Sequence, residues 1–519
     1  MSNKAIIKTQ ILIAGGGISG YKAACTAVKK GLDVLLITKS TVAASNYVLG
    51  FNAVLAPDDS VELFAEDTMK GGAYINSKGL VEALALKSSQ QVKESEELGL
   101  EFDTVKSGYD LLKPLGCTVP RLVHIENLTG KISLKRLKQE AQALGVRVME
   151  NAMLADVYTN DGSVSGACVY DLDKKRILFV QTKAAVIATG GIHITDDSTY
   201  PSCMTGDGYG IAYRAGASLT DMEFIQFEPC RCIYPQKLGI STTLLAKGGK
   251  ITNSHEERFL LNHYSSEGDI PKDTLAKLIF AEIQKGNGSQ HGGVYLDLTD
   301  VPDDEIIQRH SLYYNRFKNV GIDITKEKLE VAPCAHSYMG GIVIDNKCCT
   351  NVKGLFAAGE SAGGIHGANR VGGNAGTEIL VFGSIAGESA ADYALGARES
   401  EFNQPIFDKK YVTADKEYFV SIKNQIRNVM YRYMGPVRDA DGIGKAMEFL
   451  QKLLSKLNNI DAESFEALVE KKESENMLTV CICSCSAAFE RKESRGVHCR
   501  SDYPEINDEY RKNFIYCKH

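Results

Sequence analysis

The sequence predicts an α/β fold: a Rossmann-like domain with an inserted α+β domain and a C-terminal helical domain. Three observations support this prediction. A strand, a glycine-rich turn and a helix follow one another near the N-terminus, two later apolar segments also end in glycine turns, and the pattern becomes helical from about residue 400. Because strands of one sheet drawn from distant parts of a chain imply an insertion between them, the more polar stretch 227–330 is the predicted inserted domain.

The N-terminal βαβ unit is the most specific element. Residues 6–13 predict one buried strand, Gly15-x-Gly17-x-x-Gly20 follows, and a helix then leads to a second strand at 34–37. Gly15 permits a tight turn, Gly17 lets the backbone approach a pyrophosphate, and Gly20 lets helix and strand pack closely. The helix N-terminus would face the phosphates with its positive dipole end, so the unit predicts a dinucleotide site.

The later strands favour one type of dinucleotide. The second strand ends in Thr38-Lys39 instead of the acid that usually holds a ribose. Strands predicted at 184–188 and 354–358 run into Ala-Thr-Gly-Gly and Ala-Ala-Gly-Glu, and Glu360 at the end of the second could accept hydrogen bonds from sugar or ribityl hydroxyls. The glycine motif at 15–20 and these two later turns, in this order, favour FAD over NAD.

The C-terminal part of the chain predicts four helices. They are expected at Tyr418–Tyr433, Ile443–Leu457, Ala462–Glu473 and Asn476–Arg491. Three alternating cysteines in the last helix point in different directions, so we interpret Cys481, Cys483 and Cys485 as packing residues.

Composition and charge narrow the class of protein. The chain has 519 residues, 44% of them apolar, and a net charge of −6 without a block of like charge, which argues against a nucleic-acid-binding surface. No window approaches the roughly 18 apolar residues of a membrane helix, and residues 1–10 lack the apolar stretch of a signal peptide. We therefore expect a cytoplasmic protein without direct membrane insertion, with its 14 cysteines reduced. No metal site is expected, because the cysteines form neither zinc-type CxxC pairs nor an iron–sulfur run.

Five further motifs make the sequence similar to a known family. They are Met222–Phe227 (MEFIQF), His366–Asn374 (HGANRVGGN), Thr205–Gly208 (TGDG), His336–Ile342 (HSYMGGI) and Glu493–His498 (ESRGVH). With the glycine motif, the chain resembles the flavoprotein subunits of fumarate reductase and succinate dehydrogenase, L-aspartate oxidase and the adenylylsulfate reductase alpha subunit over nearly its whole length. The resemblance implies an FAD-binding domain (1–226 and 331–398), a capping domain (227–330) and a helical domain (399–519).

The same resemblance implies where the reaction takes place. The substrate would lie between flavin and cap, with hydride passing between flavin N5 and an activated carbon. His336 and Arg370 fall on substrate-binding positions, and an arginine offers a bidentate fork to a carboxylate. The cofactor-binding positions implied are Ala14, Gly15, Gly17, Gly20, Thr38, Lys39, Gly50, Thr189, Gly190, Asp207, Glu360, Asn374, Ala375 and Gly376.

Other positions depart from the family pattern. Glu228 stands where a substrate-binding histidine is expected, and Ser241-Thr242 stands in place of a Thr-Glu pair. The carboxylate of Glu228 would repel a bound dicarboxylate unless Glu228 were protonated, so we expect fumarate, succinate and aspartate to be poor ligands. Lys272 takes the place of the family's proton-shuttle arginine, and Asp273 would relay protons to it. A neighbouring cation such as Lys247 would lower the pKa of Lys272, whereas the alternative is a solvated lysine at a helix start.

Histidines and cysteines bear on two further features of the site. The respiratory members of the family attach flavin through a histidine after the second strand, but residues 40–55 contain no histidine and the first in the chain is His124, so FAD is expected to be non-covalent. Four cysteines fall in segments expected near the cleft between flavin and cap, where they could handle thiols but are better explained as small buried residues. They are Cys203, Cys230, Cys232 and Cys334.

These observations predict an FAD-dependent oxidoreductase that reduces an activated double bond of a carboxylate-bearing small molecule, with Lys272, Asp273, Glu228, His336 and Arg370 as its catalytic residues. An iron–sulfur or ferredoxin-like protein would supply electrons, since the chain has no cluster motif. The first alternative is an enzyme like L-aspartate oxidase or adenylylsulfate reductase, whose motif also has a glutamate after Gln-Phe. The second is an electron-transfer subunit with a degenerate substrate site.

Overall fold

The structure is a computed structural model that describes residues 6–106, 108–195, 198–398, 401–402 and 412–518. The boundary predicted between 398 and 399, and the start of the N-terminal segment 1–10, fall partly outside these residues. The α-helices described are α1 (Ile18–Lys29), α2 (Val61–Gly71), α3 (Lys78–Glu97), α4 (Thr129–Ala143), α5 (Asp207–Arg214), α6 (Lys272–Glu282), α7 (Ser311–Lys318), α8 (Asn374–Gly396), α9 (Lys416–Tyr433), α10 (Ala440–Leu457) and α11 (Phe465–Glu490).

A five-stranded parallel sheet forms the centre of the molecule. Its strands, in spatial order, are Leu355–Ala357, Ala184–Ile187, Ile11–Ala14, Val34–Thr38 and Arg147–Glu150. The three strands in the middle of this order are buried throughout, which fits their continuous apolar sequence. Helices α1 and α8 pack together next to the sheet through close glycine contacts, because a Cβ on Gly387 would lie 2.3 Å from the main-chain oxygen of Ala23. The predicted α/β fold class is therefore confirmed.

The single strand predicted over residues 6–13 is wrong in one respect. Ile6–Lys8 belongs to a separate four-stranded sheet with Arg176–Gln181, Ser163–Asp171 and Ala152–Asn160. The break falls at Thr9, whose hydroxyl donates to the main-chain oxygens of Ile11 and Asp33 and so turns the chain from one sheet to the other.

An antiparallel sheet of five strands, all drawn from residues 225–338, is called here the cap sheet. Its strands, in spatial order, are Leu238–Gly239, Ile225–Tyr234, Leu329–Tyr338, Val294–Asp297 and Lys250–Thr252. It has an apolar core of its own, to which α6 contributes Leu275 and Ile279. The two long strands extend beyond both ends of the predicted segment 227–330 and carry Glu228 and His336 back toward the parallel sheet. The predicted domain limits themselves stay predictions.

The remaining strands form small sheets. They are Gly341–Ile342 with Leu219–Thr220 and Ile515–Tyr516, Gly50–Asn52 with Leu122–His124, Thr104–Val105 with Gly108–Tyr109, and Thr413–Ala414 with Asp461–Ala462. In the described ranges, no helix combines the length and the apolar character required to span a bilayer.

The C-terminal helices pack against one another, but the last two predicted helices are one. Helix α11 runs without interruption through Ser474 and Asn476, the polar positions at which the sequence predicts a break. Both side chains are buried: the Ser474 hydroxyl lies 2.8 Å from the main-chain oxygen of Glu470 and 3.3 Å from that of Phe419 on α9, and the Asn476 amide donates to Asp207 at 2.7 Å. Contacts with residues distant in sequence therefore bury polar side chains that locally resemble a helix boundary. The three alternating cysteines on α11 are buried, as packing residues would be.

Candidate active site

A cavity of about 880 Å³ lies between the carboxyl ends of the parallel strands and the two long strands of the cap sheet. Its wall contains most of the positions singled out in the sequence. These are Ala14, Gly15, Gly17, Thr38, Lys39, Gly50, Thr189, Gly190, Asp207, Glu228, Lys272, Asp273, His336, Glu360, Arg370, Ala375 and Gly376. We distinguish a glycine-rich end (Gly15–Gly17, Gly190, Gly376) from a charged end (Glu228, Lys272, His336, Arg370).

Two predicted cofactor positions, Gly20 and Asn374, lie behind the wall. A Cβ on Gly20 would lie 1.9 Å from the main-chain oxygen of Gly15, so this glycine permits the close approach of α1 to the first strand. Asn374 donates to the hydroxyl of Thr68 at 2.9 Å and accepts from Asn52 at 2.7 Å. Both positions shape the wall without forming it, because their neighbours occupy the space on the cavity side.

Two helix N-termini meet the glycine-rich end. Helix α1 begins after Gly17 and α8 begins after Gly373, so neither N-cap residue offers a side chain, and the first N–H of α1, that of Ile18, donates to the hydroxyl of Ser45 at 3.2 Å. The hydroxyl of Ser19, in the first turn of α1, is buried without a hydrogen-bond partner in the part of the chain that the structure describes. Helix N-termini with positive dipole ends and an orphaned hydroxyl on a cavity wall fit an anionic pyrophosphate, so the residues present suit a dinucleotide cofactor.

Lys39 and Asp207, both predicted cofactor contacts, form an ion pair with each other. The ammonium of Lys39 lies 2.8 Å from Asp207, 2.8 Å from the Thr205 hydroxyl and 2.6 Å from Glu473 on α11. Burial would lower the pKa of Lys39, but Asp207 and Glu473 outweigh it and raise that pKa above its ordinary value. The lysine therefore stays charged and compensated, and it ties the helical domain to the cavity wall.

Glu360 is equally well held by the protein. One carboxylate oxygen, Oε1, accepts from the hydroxyls of Tyr200 and Ser337 and from the main-chain N–H of Tyr338, the last two at 3.0 Å. Burial raises the pKa of this carboxyl group. Because Oε1 already has three donors, a sugar or ribityl hydroxyl would be bound by Oε2.

At the charged end, Arg370 is oriented by two neutral acceptors. Its Nη2 lies 3.0 Å from Oε1 of Gln226 and 3.2 Å from Nε2 of His336. Its Nε is buried and has no partner among the described residues. Burial, followed by the charge of Arg370, lowers the pKa of His336 to about 4, so the imidazole is neutral at pH 7. Its other nitrogen, Nδ1, lies 2.9 Å from the hydroxyl of Thr199.

Glu228 and Lys272 form an ion pair on the same part of the wall, with 3.0 Å between Oε1 and Nζ. Lys272 is the first residue of α6, and about half of its side chain is exposed. Asp273 pairs with Lys277 one turn along the helix at 3.4 Å, so the structure shows no direct contact for the expected relay to Lys272. Lys247, the cation expected beside Lys272, pairs with Glu305 at 3.8 Å and is not on the wall. The charged neighbour of Lys272 is therefore an acid.

Sequence reasoning missed three polar residues of this end: Thr199, Gln226 and Thr243, all on the wall. Gln226 lies inside the quoted MEFIQF motif, which could have identified it. Thr243, not the neighbouring Thr242 named from the family pattern, faces the cavity, and its hydroxyl lies 2.9 Å from Nε2 of His310. Thr199 has no motif around it.

Of the four cysteines expected near the cleft, Cys203 is on the wall and the other three are not. Cys230, Cys232 and Cys334 are buried in the cap sheet. Burial raises the pKa of Cys230, and it raises that of Cys232 to about 11, which disfavours the reactive thiolate. The buried positions thus suit packing more than thiol chemistry.

Comparisons with known proteins agree with this architecture. Residues 10–375 match the family model described as FAD binding domain, and residues 423–519 match the model described as fumarate reductase flavoprotein C-term. The chain belongs to this family of FAD-dependent oxidoreductases. Its predicted family, cofactor and enzyme class are therefore confirmed.

Individual relatives extend over almost the whole chain. It is 34% identical to one chain of the fumarate reductase (CoM/CoB) of Methanothermobacter marburgensis, over 98% of this chain and 97% of the relative. It is 29% identical to an L-aspartate oxidase of Nostoc sp., over 98% and 93%. Among solved structures, Mycobacterium smegmatis Sdh1 in complex with UQ1 superposes with a TM-score of 0.89 and 32% identity, over 97% of this chain and 90% of that chain.

Proposed function

We propose that this flavoprotein reduces an activated carbon–carbon double bond in a small molecule that carries a carboxylate. One observation carries the proposal: the charged end of the cavity brings together Arg370, whose buried Nε has no partner among the described residues, and a lysine, Lys272, at a helix start. A guanidinium that has only neutral acceptors keeps its full charge for an anionic substrate group. A lysine on the same cavity can deliver the proton that must accompany hydride transfer.

The glycine-rich end supports the assignment of cofactor contacts. The N-termini of α1 and α8 would receive the pyrophosphate and the flavin ring system, and Glu360 would accept from sugar or ribityl hydroxyls. FAD supplies the hydride-transferring centre when it is bound. The chain's own residues would orient the substrate, with Arg370 and His336 holding the carboxylate and Lys272 holding the proton.

We further propose that FAD is held without a covalent bond. The wall segment nearest the expected attachment site, Val42–Gly50, contains no histidine, and the histidines that the described residues place on the wall are His336 and His366. His366 is engaged with Glu378 at 2.8 Å. Acid precipitation of the purified protein should therefore release FAD into the supernatant, whereas flavin that stays in the washed pellet would contradict the proposal.

The electron donor is proposed to be an iron–sulfur or ferredoxin-like protein, because the sequence offers no cluster motif of its own. Three apolar side chains that line the cavity, Tyr47, Leu49 and Leu115, are more than half exposed and are the proposed contacts for that donor. A cytoplasmic location belongs to the same proposal, since 14 cysteines suit a reducing compartment.

A second candidate function is electron transfer without a small substrate. The Glu228–Lys272 pair favours it, because the lysine that would serve a substrate already has an acid as its partner. Stopped-flow mixing of the reduced flavoprotein with enoates, a sulfonate nucleotide and oxygen separates the candidates. Rapid reoxidation by an enoate supports the proposal. Reoxidation by the nucleotide or by oxygen supports the related enzyme classes, and reoxidation by a protein acceptor alone supports the carrier.

A further inference from the structure

The hydrogen bonds around His336 define its tautomer. A guanidinium has only donors, so at the contact with Arg370 the Nε2 of His336 is the acceptor. Since the ring is neutral, its proton is on Nδ1 and is donated to Thr199 Oγ1 at 2.9 Å. The hydroxyl hydrogen of Thr199 is then left to point at the main-chain oxygen of His336, 3.5 Å away. Every polar atom of the imidazole is satisfied by the protein.

This arrangement occupies the part of Arg370 that a carboxylate needs. Each bidentate edge of a guanidinium includes one Nη2 hydrogen, and here both Nη2 hydrogens are used, by Gln226 and by His336. Gln226 is fixed, because its own amide donates to Asn369 at 2.7 Å and to the main-chain oxygen of Arg370 at 3.3 Å. The longer contact, to His336, is therefore the one that a carboxylate would replace.

We propose that Thr199 is a positioning residue that lets His336 change tautomer when a substrate carboxylate binds Arg370. With the carboxylate in place, Nε2 would face an acceptor oxygen and has to become a donor. One proton leaves Nδ1 and one is gained at Nε2, both exchanged with solvent, so the charge of the ring is unchanged. The Thr199 hydroxyl rotates from the main-chain oxygen to donate to Nδ1. A hydroxyl can serve both states because it both donates and accepts.

The segment around Thr199 is held firmly enough for this role. Its main-chain N–H donates to the main-chain oxygen of Ala335 at 3.1 Å, and the hydroxyl of Ser198 donates to the same oxygen at 3.0 Å. The hydroxyl of the next residue, Tyr200, donates to Glu360, which also accepts from Ser337 beside His336. The hydroxyl of Thr199 is therefore placed by the fold on the Nδ1 side of His336, and only its hydrogen has to move.

The inference rests on the proposed function, because the switch requires a substrate carboxylate. The test is ¹³C–¹⁵N correlation NMR of the full FAD-bound chain labelled in histidine, with the His336 signals assigned by their loss in His336→Gln. We expect the Nδ1–H tautomer without ligand and the Nε2–H tautomer with saturating crotonate or fumarate, whichever shifts the flavin absorbance. An Nε2–H ring or an imidazolium in the ligand-free protein overturns the role of Thr199, and an unchanged tautomer in the complex overturns the switch.

Variants of Thr199 separate positioning from a merely structural role. Thr199→Val keeps the shape but removes the hydroxyl, so the Nε2–H tautomer loses its donor to Nδ1 and carboxylate binding should weaken roughly 3- to 10-fold, the loss of one hydrogen bond, while Arg370 still holds the ligand-free ring as Nδ1–H. Thr199→Ser should restore the affinity, and its failure to do so contradicts the proposal. If neither carboxylate perturbs the flavin, the proposed function and the switch fail together, while the ligand-free spectrum still decides the tautomer.

Discussion

The two ends of the cavity are built from different kinds of groups, main-chain groups at one end and long side chains at the other. The glycine-rich end is made of backbone, namely two helix N-termini that follow glycines and turns where a Cβ would collide, as at Gly15, 2.0 Å from the oxygen of Ala188. The charged end is made of long side chains on the cap strands, on α6 and on the loop before α8. Backbone sites bind whatever has the right shape and charge, whereas side-chain sites can change substrate by a few substitutions. The family fold is thus compatible with a changed substrate at one end.

The largest expected effect concerns proton delivery at the charged end. Lys272→Met should slow reoxidation of the reduced flavin by the true substrate about 10²–10⁴-fold, because a positioned proton donor contributes that much. Stopped-flow absorbance measures the rate, and reduction of the flavin by its electron donor should stay normal. Lys272→Arg should retain part of the activity.

If Lys272→Met reoxidises at the wild-type rate, the proton comes from elsewhere and Glu228, 3.0 Å from Lys272, becomes the next candidate. Lys445→Met is a suitable control, since Lys445 lies exposed on α10 and pairs only with Asp441 in the described contacts.

The second effect concerns the carboxylate. Arg370→Lys keeps the charge but loses the planar fork. The fall in kcat/KM with the true substrate should correspond to a loss of about 2–5 kcal/mol of transition-state stabilisation. The matched control is Arg147→Lys, at an exposed ion pair with Asp33 on the far strand of the parallel sheet. An unchanged kcat/KM in Arg370→Lys would remove this residue from the site.

The glycine-rich end can be tested by adding a methyl group where the fold leaves no room for one. Gly20→Ala introduces a Cβ 1.9 Å from the oxygen of Gly15, which must push α1 away from the strand and lower the free energy of unfolding by about 1–3 kcal/mol. FAD retention on gel filtration should fall with it. Gly444→Ala is the control: no atom lies within 4 Å of its added Cβ, and alanine within α10 should stabilise slightly. Equal stability of the two variants would contradict the packing argument.

The difference between the ends also explains what could be predicted. Gly15, Gly17 and Gly20 indicate a tight turn and close packing from the local sequence alone. The first βαβ unit can therefore be predicted from residues close in sequence. The pairing of Asp273 with Lys277 at i, i+4 was available from spacing alone. By contrast, Thr199 reaches His336 only because the fold brings a loop beside a cap strand. Likewise, α11 continues through Ser474 and Asn476 because distant partners bury them. Side-chain neighbours across the fold carry no local signal.

The smallest expected effect sharpens the claim that the charged end has changed substrate. In the wild type, fumarate should bind poorly, because Glu228 places a carboxylate where a second substrate carboxylate would lie. Glu228→His removes the like charge and adds a possible donor, so it should tighten fumarate binding about tenfold, or roughly 1.4 kcal/mol. Titration of the FAD-bound protein, followed by flavin absorbance, measures the dissociation constant. Glu228→Gln is the control that removes charge without adding an imidazole.

A second substitution can be combined with Glu228→His, since the family pattern has a glutamate where this sequence has Thr242. Thr243, not Thr242, lies on the wall beside His310, so Thr243→Glu is the change that would place a family-like carboxyl group at the cavity. Its carboxylate would lie beside His310, on the same cavity wall as the ammonium of Lys272, which loses its partner in Glu228→His. Because it returns a like charge to the cavity, we expect Thr243→Glu to cancel part of the gain in fumarate affinity, whereas Thr242→Glu should leave the gain unchanged. Tight fumarate binding by the unmodified protein would show that Glu228 does not exclude a dicarboxylate. The substrate would then share the cavity with an intact Glu228–Lys272 pair.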